Sequence, residues 1–190
     1  MIDDIRERLQ AYEPAPLTEP YREPRDQAAV LLPVLEGREP ELILTLRSSR
    51  LGSHGGEVAW PGGRADPEDA DLLATALRET REEIGLSSRQ IEVVGELRPF
   101  ISKFGLLVTP FVGIVEQPVD LCPNPDELEA VFSVPISYLL ADPRSSTDLI
   151  DRHGERHNVP VYHYDGFKIW GLTAMILREF LNECAGARIE

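Results

Sequence analysis

Residues Gly62 to Leu86 read GGRADPEDADLLATALRETREEIGL, joining a glycine pair, a helix start, three carboxylates at helical spacing and a helix stop. On a helix, Glu79, Glu82 and Glu83 fall within an arc of about 100° on one side, so their acid groups converge on one small volume. Leu73, Leu77, Thr80 and Ile84 recur at i, i+4, i+7 and i+11 and form the stripe expected to face a core. Asp66 before Pro67, with Glu68 and Asp69 behind it, sets the expected N-terminus, because proline costs no hydrogen bond in a first turn and the helix dipole favours acid there. Gly85 is the expected stop, taking the left-handed conformation that ends a helix.

Carboxylates this close must protonate, be neutralised by a base, or hold a cation. Arg78, at i and i+4 to Glu82, neutralises one of them. Glu79 and Glu83 form an i, i+4 pair suited to a hard divalent ion such as Mg2+ or Mn2+, which takes oxygen ligands and keeps water positions open. A solvated acidic helix face has the same pattern, and the helix alone does not separate the two readings.

Arg78-Glu79-Thr80-Arg81-Glu82-Glu83-Ile84-Gly85-Leu86 resembles the R-E-U-x-E-E-x-G-U end of the Nudix box, with Gly63 as its opening glycine. Asp69 stands where the box carries its first glutamate, one extra residue separates it from Arg78, and Thr80 replaces an aliphatic residue. A second stretch, Ile43-Leu44-Thr45-Leu46-Arg47-Ser48 followed by Gly56 and Trp60-Pro61-Gly62-Gly63, is similar to the segment that marks the coenzyme A pyrophosphatase branch of the same superfamily. Gly52 stands at that segment's second arginine, with Arg50 two residues earlier, and Trp60 replaces its phenylalanine.

The resemblance implies an α/β (α+β) sandwich with a mixed sheet between helices, and a metal-dependent diphosphatase. In that reading Glu79, Glu83 and Glu82 hold Mg2+ or Mn2+ with a carbonyl of Gly63, the Gly62-Gly63 turn letting the backbone approach the ion. Glu82, held by Arg78, or Glu127, where Nudix proteins often place a further glutamate, takes a proton from water. The implied substrate is coenzyme A or a derivative, cut to 3′,5′-ADP and 4′-phosphopantetheine. Gly62 lies beside it, Arg47 and Arg50 are its phosphate forks, and Trp60 or Phe104 its apolar contact. His54 either meets phosphate or lies on the surface. ADP-ribose, NADH, dinucleotides and nucleoside triphosphates remain alternatives, as does a module that senses nucleotides without cutting them.

The chain has 190 residues, 42% hydrophobic and 27% charged, which is enough for one core and points to a single domain over residues 1–190, with 1–26 a leading helix and loop. A net charge of −14 argues against nucleic acid or an anionic membrane as partner, whereas a small diphosphate needs only a local cationic site or a metal. All but Lys103 and Lys168 of the 19 basic residues are arginine, which suits phosphate and also fits a simple coding bias. Cys122 and Cys184 have no metal or redox spacing and fit reduced thiols; with no long apolar run and a charged start, the expected location is cytoplasmic.

Along the chain, Ile2, Ile5 and Leu9 indicate a short helix and Pro14 to Pro24 a loop; Ala28 to Leu35 and Glu41 to Arg47 read as a central hairpin. Glu57 to Trp60, Ile91 to Phe100, Leu106 to Val115 and Leu128 to Val134 read as strands, Ile136 to Leu140 as a short helix, and Asp142 to Gly154 as a polar turn region. His153, His157 and His163 are expected at the surface or core edge. Val159 to Tyr164 and Phe167 to Trp170 form a last hairpin about Asp165-Gly166, before an amphipathic helix over 171–185 expected to pack on the sheet. A monomer or a homodimer through Trp170-Gly171-Leu172 is consistent with this pattern.

Overall fold

The apolar run expected at the centre of a sheet is there: β1 (Gln27–Leu35) carries seven buried residues among its nine, and β7 (Leu107–Val115) is buried at every position. A strand covered on both faces has no polar alternation, which is why both read as continuous hydrophobic runs. The two pair in parallel from Gln27 against Leu107 to Leu35 against Val115. The computed structural model describes residues 1–14, 26–50, 54–152 and 155–190, so Gly52, His153 and most of the expected proline loop lie outside the described residues.

The other elements are α1 (Ile2–Ala11), β2 (Glu41–Arg47), β3 (Val58–Ala59), β4 (Gly62–Arg64), α2 (Leu72–Ile84), β5 (Ile91–Glu96), β6 (Phe100–Ile101), β8 (Leu128–Pro135), α3 (Ile136–Leu140), β9 (Ser146–Arg152), β10 (Glu155–Tyr164), β11 (Phe167–Ile169) and α4 (Gly171–Glu183). One mixed sheet runs β3-β2-β1-β7-β5, with β4 also on β1, β6 on β7 and β8 on β2; a second, antiparallel sheet runs β11-β10-β9. Alternate residues of β1 point to opposite faces. Ala29, Leu31 and Leu35 join Ile43, Phe111 and Val115 beneath Ala76 and Ile84 of α2, whereas Ala28, Leu32 and Val34 join the layer that includes Ile5 of α1 and Ile176 and Phe180 of α4. The mixed sheet is therefore sandwiched between helices, as expected for the α+β class. Among the described residues no helix is long and apolar enough to cross a membrane.

Four local expectations are corrected. Helix α2 starts five residues later than Pro67 suggests: Asp71 is the cap, its side chain accepting from the Ala74 amide at 2.7 Å, and its first turn holds no acid. Asp66 to Asp69 form a separate turn instead, closed by the Asp69 amide on the Asp66 carbonyl at 3.0 Å. The buried side of α2 comprises Thr75, Ala76, Thr80, Glu83 and Ile84, and Leu73 and Leu77 are half-buried at its edge. Gly62-Gly63 is not a turn but part of β4, paired with Val30 and Ala29. Ser146–Arg152, expected as polar turn, is a strand paired along β10.

The β1–β2 connection is a hairpin only near its turn, pairing Val34 with Leu42 and Leu35 with Glu41; further along, β1 pairs with β4 and β2 with β3, while β8 runs along the whole of β2. That divergence lets Gly62–Arg64 lie beside the N-terminal half of β1, directly under α2.

Candidate active site

Gly63 brings α2 and β4 together. A Cβ at Gly63 would lie 2.4 to 2.6 Å from the three carboxyl atoms of Glu79, so the bare backbone is what admits that acid. One turn further along, the Glu83 carboxylate accepts the Gly62 amide at 3.1 Å and an Arg47 guanidinium nitrogen at 3.3 Å. Glu83 is 1% exposed. Burial pushes its carboxyl up to about 7; the Gly62 amide and Arg47 pull it down, and the charges of Glu79 and Glu127 push it up again. Burial also raises Glu79, against the pull of Arg78 and with help from Glu82 and Glu127.

Arg78 is the clamp. Its Nε and one terminal nitrogen donate to the two Asp69 oxygens at 2.9 and 3.0 Å, the bidentate form that suits a carboxylate. Its other terminal nitrogen donates to Glu79 at 2.9 Å and Glu82 at 3.2 Å, and the Arg64 carbonyl takes a further bond at 3.2 Å. Asp69 also accepts the Thr75 hydroxyl at 2.7 Å and the Asp66 amide at 2.9 Å. The Arg78 bonds first, then these two, hold Asp69 well below the usual carboxylate range. The shorter acid with one extra residue before the arginine thus still reaches its partner.

Glu127 arrives from the β7–β8 connection. The Asn124 amide binds the Glu83 carbonyl at 2.8 Å, its side chain donates to Glu127 at 2.9 Å, and the Ser48 amide binds the Glu127 carbonyl at 2.8 Å. Nothing in the sequence singles out Asn124, since a turn asparagine has no signature of what it holds.

The expected substrate residues separate. Arg47 is engaged with Glu83, while exposed Arg50 is steered by bonds to the Ser48 hydroxyl at 3.4 Å and the Pro125 carbonyl at 3.1 Å. His54 is exposed, its Nδ1 2.8 Å from Glu57, with its ring edge-on to Phe104. Trp60 is corrected: it is 3% exposed, packed in the core with its indole nitrogen donating to the Thr173 carbonyl at 3.2 Å, so it is no surface contact for a ligand. Gly62 gives its amide to Glu83. His163 lies at the surface with its Nδ1 3.0 Å from the Ser145 hydroxyl, and Cys122 and Cys184 are free thiols.

Among the described residues, no three His, Cys, Asp or Glu side chains are grouped closely enough to hold a metal as arranged. Arg47 and Arg78 take up the oxygens that would otherwise turn to a cation. The donor set itself fits a hard divalent ion: carboxylates of Glu79, Glu82 and Glu83, two of them with raised proton affinity from burial and mutual repulsion, beside an open backbone at Gly63.

A mixed sheet between helices with this clamped glutamate helix under a glycine strand defines a Nudix hydrolase, and comparison agrees: a model of the NUDIX domain matches residues 24–150, and the chain belongs to that family. It is 42% identical over 178 residues to a protein of Citrobacter koseri named uncharacterized Nudix hydrolase NudL, covering 94% of this chain and 92% of that one. It is 40% identical over 187 residues to a protein of the same name from Klebsiella pneumoniae, covering 98% and 96%. Among solved structures, a Caenorhabditis elegans Ap4A hydrolase binary complex superposes with a TM-score of 0.50 at 20% identity, over 61% of this chain and 84% of that one. A MutT/nudix family protein from Enterococcus faecalis gives 0.50 at 17% identity, over 96% and 68%. Those two likenesses are of fold. Nudix hydrolases generally use divalent metal ions.

Proposed function

We propose that this Nudix hydrolase uses Mg2+ or Mn2+ to cut the diphosphate of coenzyme A, or of an acyl or oxidised form, to 3′,5′-ADP and 4′-phosphopantetheine. The observation that carries the diphosphatase reading is the placement of Glu79, Glu82 and Glu83 on α2, with Glu127 close enough to raise two of them, against the bare backbone of Gly63. Glu79, Glu82, Glu83 and the Gly63 carbonyl would hold the ion, which when bound offsets phosphate charge and acidifies a water. Arg78 keeps Glu79 and Glu82 oriented through its two bonds to them. Glu82 or Glu127 receives the proton of the attacking water.

The coenzyme A assignment is supported by where the second motif sits. Ser48 binds the backbone of Glu127, Arg47 pairs with Glu83, and Arg50 reaches the Pro125 carbonyl, so this segment borders Glu83 and Glu127, whereas Arg78 pairs with Asp69, Glu79 and Glu82. Arg50 there is exposed and offers a fork to a phosphate. The test compares kcat/KM for coenzyme A, dephospho-coenzyme A, ADP-ribose and NADH in one metal buffer. Coenzyme A is expected to lead, with Arg50→Ala lowering its kcat/KM about ten-fold. Preference for ADP-ribose, or indifference to the 3′-phosphate together with an inert Arg50→Ala, overturns the assignment; full turnover by both Glu82→Gln and Glu83→Gln overturns the catalytic one.

A further inference from the structure

Phe104 is 74% exposed, on the Ser102–Gly105 turn that joins β6 to β7. An isolated exposed aromatic would be unremarkable. This one is braced. The His54 ring meets it edge-on at 5.8 Å between centroids and 71° between planes, and Lys103 sits 6.0 Å from its centroid. His54 is in turn fixed by Glu57 at 2.8 Å and held at a φ of 56°, a left-handed conformation that costs a residue with a side chain and is kept only where its surroundings impose it.

The ring also stands at the reacting end of the sheet. Arg64, Ala28, Val108 and Phe100 form one row across β4, β1, β7 and β6. Three strand spacings separate the first from the last, about 14 Å. Just beyond that row lie the 102–105 turn on one side and, on the other, the strand whose Gly63 faces Glu79. Arg50 and His54 both lie between β2 and β3, Arg50 bonded to the Pro125 carbonyl ahead of Glu127 and His54 against the ring, so the chain ahead of β3 and β4 meets both the acids' side and the ring.

We propose that Phe104, braced by His54, is the platform on which the substrate's purine base stacks, and that Lys103 takes the phosphate on its ribose; this rests on the coenzyme A reading above. A protruding flat π-face with an adjacent cation suits an aromatic base bearing phosphate. A flexible amide arm needs a groove instead.

Calorimetric titration with 3′,5′-ADP and, separately, with 4′-phosphopantetheine tests this on the full chain. Phe104→Ala is expected to weaken 3′,5′-ADP about ten-fold, Phe104→Trp to restore it, and both to leave 4′-phosphopantetheine unchanged. Lys103→Ala should reduce the preference for 3′,5′-ADP over AMP. Wild-type affinity for 3′,5′-ADP in Phe104→Ala, weakening of 4′-phosphopantetheine instead, or no binding of either adenine nucleotide by the wild type overturns the platform. Should coenzyme A prove a poor substrate while ADP-ribose is cut, Phe104→Ala must still raise KM for ADP-ribose with kcat held. In that case only the Lys103 assignment falls with the coenzyme A reading.

Discussion

Gly63→Ala separates what the glycine does for the fold from what it does for the site. The added Cβ would meet the Glu79 carboxyl carbon at 2.4 Å and its oxygens at 2.5 and 2.6 Å. Ordinary van der Waals contact begins at 3.4 Å, so the acid group must retreat by about 1 Å. What it strikes is the far end of a flexible side chain, not backbone, and a new or off-rotamer Glu79 costs about 1 kcal/mol. For a chain of this length that is a fall in Tm of about 2–4 °C. The chemistry has no such slack, because misplacing a reacting or ligating group by about 1 Å costs about 100-fold in rate. The expected variant is therefore folded, melts within a few degrees of wild type, and turns over a diphosphate substrate about 100-fold more slowly. Thermal unfolding and initial rates at saturating Mg2+ decide it. Turnover within about three-fold of wild type would refute the reasoning, because Glu79 would then be shown to need no place against that strand.

Gly62→Ala should fail differently: its Cβ would lie 2.3 Å from the Ala29 carbonyl oxygen and 2.6 Å from the Val30 Cα, at a φ of 152°, so backbone must move. A stability loss of about 3 kcal/mol in denaturant titration is expected, and an unchanged midpoint contradicts it. Arg78→Lys keeps the charge but loses the fork shared among Asp69, Glu79 and Glu82, so kcat should fall about 10- to 100-fold with KM little changed; a pure KM effect would show that Arg78 binds substrate. In chelator, Glu83 makes stability fall with rising pH. Its folded value of about 7 lies above the ordinary 4.5, so folding favours the protonated form, and that contribution, as much as about 3 kcal/mol, is full below 4.5 and lost as pH rises through 7. Glu83→Gln should flatten that fall, and an identical pH slope in wild type and variant rules the linkage out.

The elements that were legible in the sequence are those whose signal is local. The α2 stop needs only Gly85, whose φ is 73°, and β1 announces itself as a run too apolar for anything but the middle of a sheet, whereas β7 reads only as a strand and owes its central place to its parallel pairing with β1. The start of α2 is misplaced at Asp66–Pro67 when read from sequence because Asp71 is as good a cap by residue type, and what excludes Asp66 is its engagement in the turn that delivers Asp69 to Arg78. Strand β9 was missed because STDLIDR is stabilised by β10 rather than by itself, and leaves Leu149 61% exposed. Trp60 shows the same limit in a side chain. Its aromatic character was evident, but which way it points depends on Thr173, more than a hundred residues away in sequence.

The site was legible as far as one helix reaches. Glu79, Glu82, Glu83 and Arg78 share a face by periodicity alone, whereas the pairing of Arg47 with Glu83 and the approach of Glu127 are created by the sheet. What no spacing could tell is how the acids divide their work. Asp69, Glu79, Glu82, Glu83 and Glu127 are five carboxylates facing two guanidiniums, Arg47 and Arg78, so the cluster is short of positive charge. That shortage is not shared evenly. Asp69 takes both prongs of the Arg78 fork plus an amide and a hydroxyl, and its proton affinity drops. Glu79 and Glu83 are desolvated with fewer donors, and theirs rises. The first is thereby a fixed anion that anchors the clamp, and the other two are the groups with most to gain from a cation. Carboxylates alike in the sequence become one fixed anion and two groups of raised proton affinity in the fold, and it is the distribution of hydrogen-bond donors around them that decides which is which.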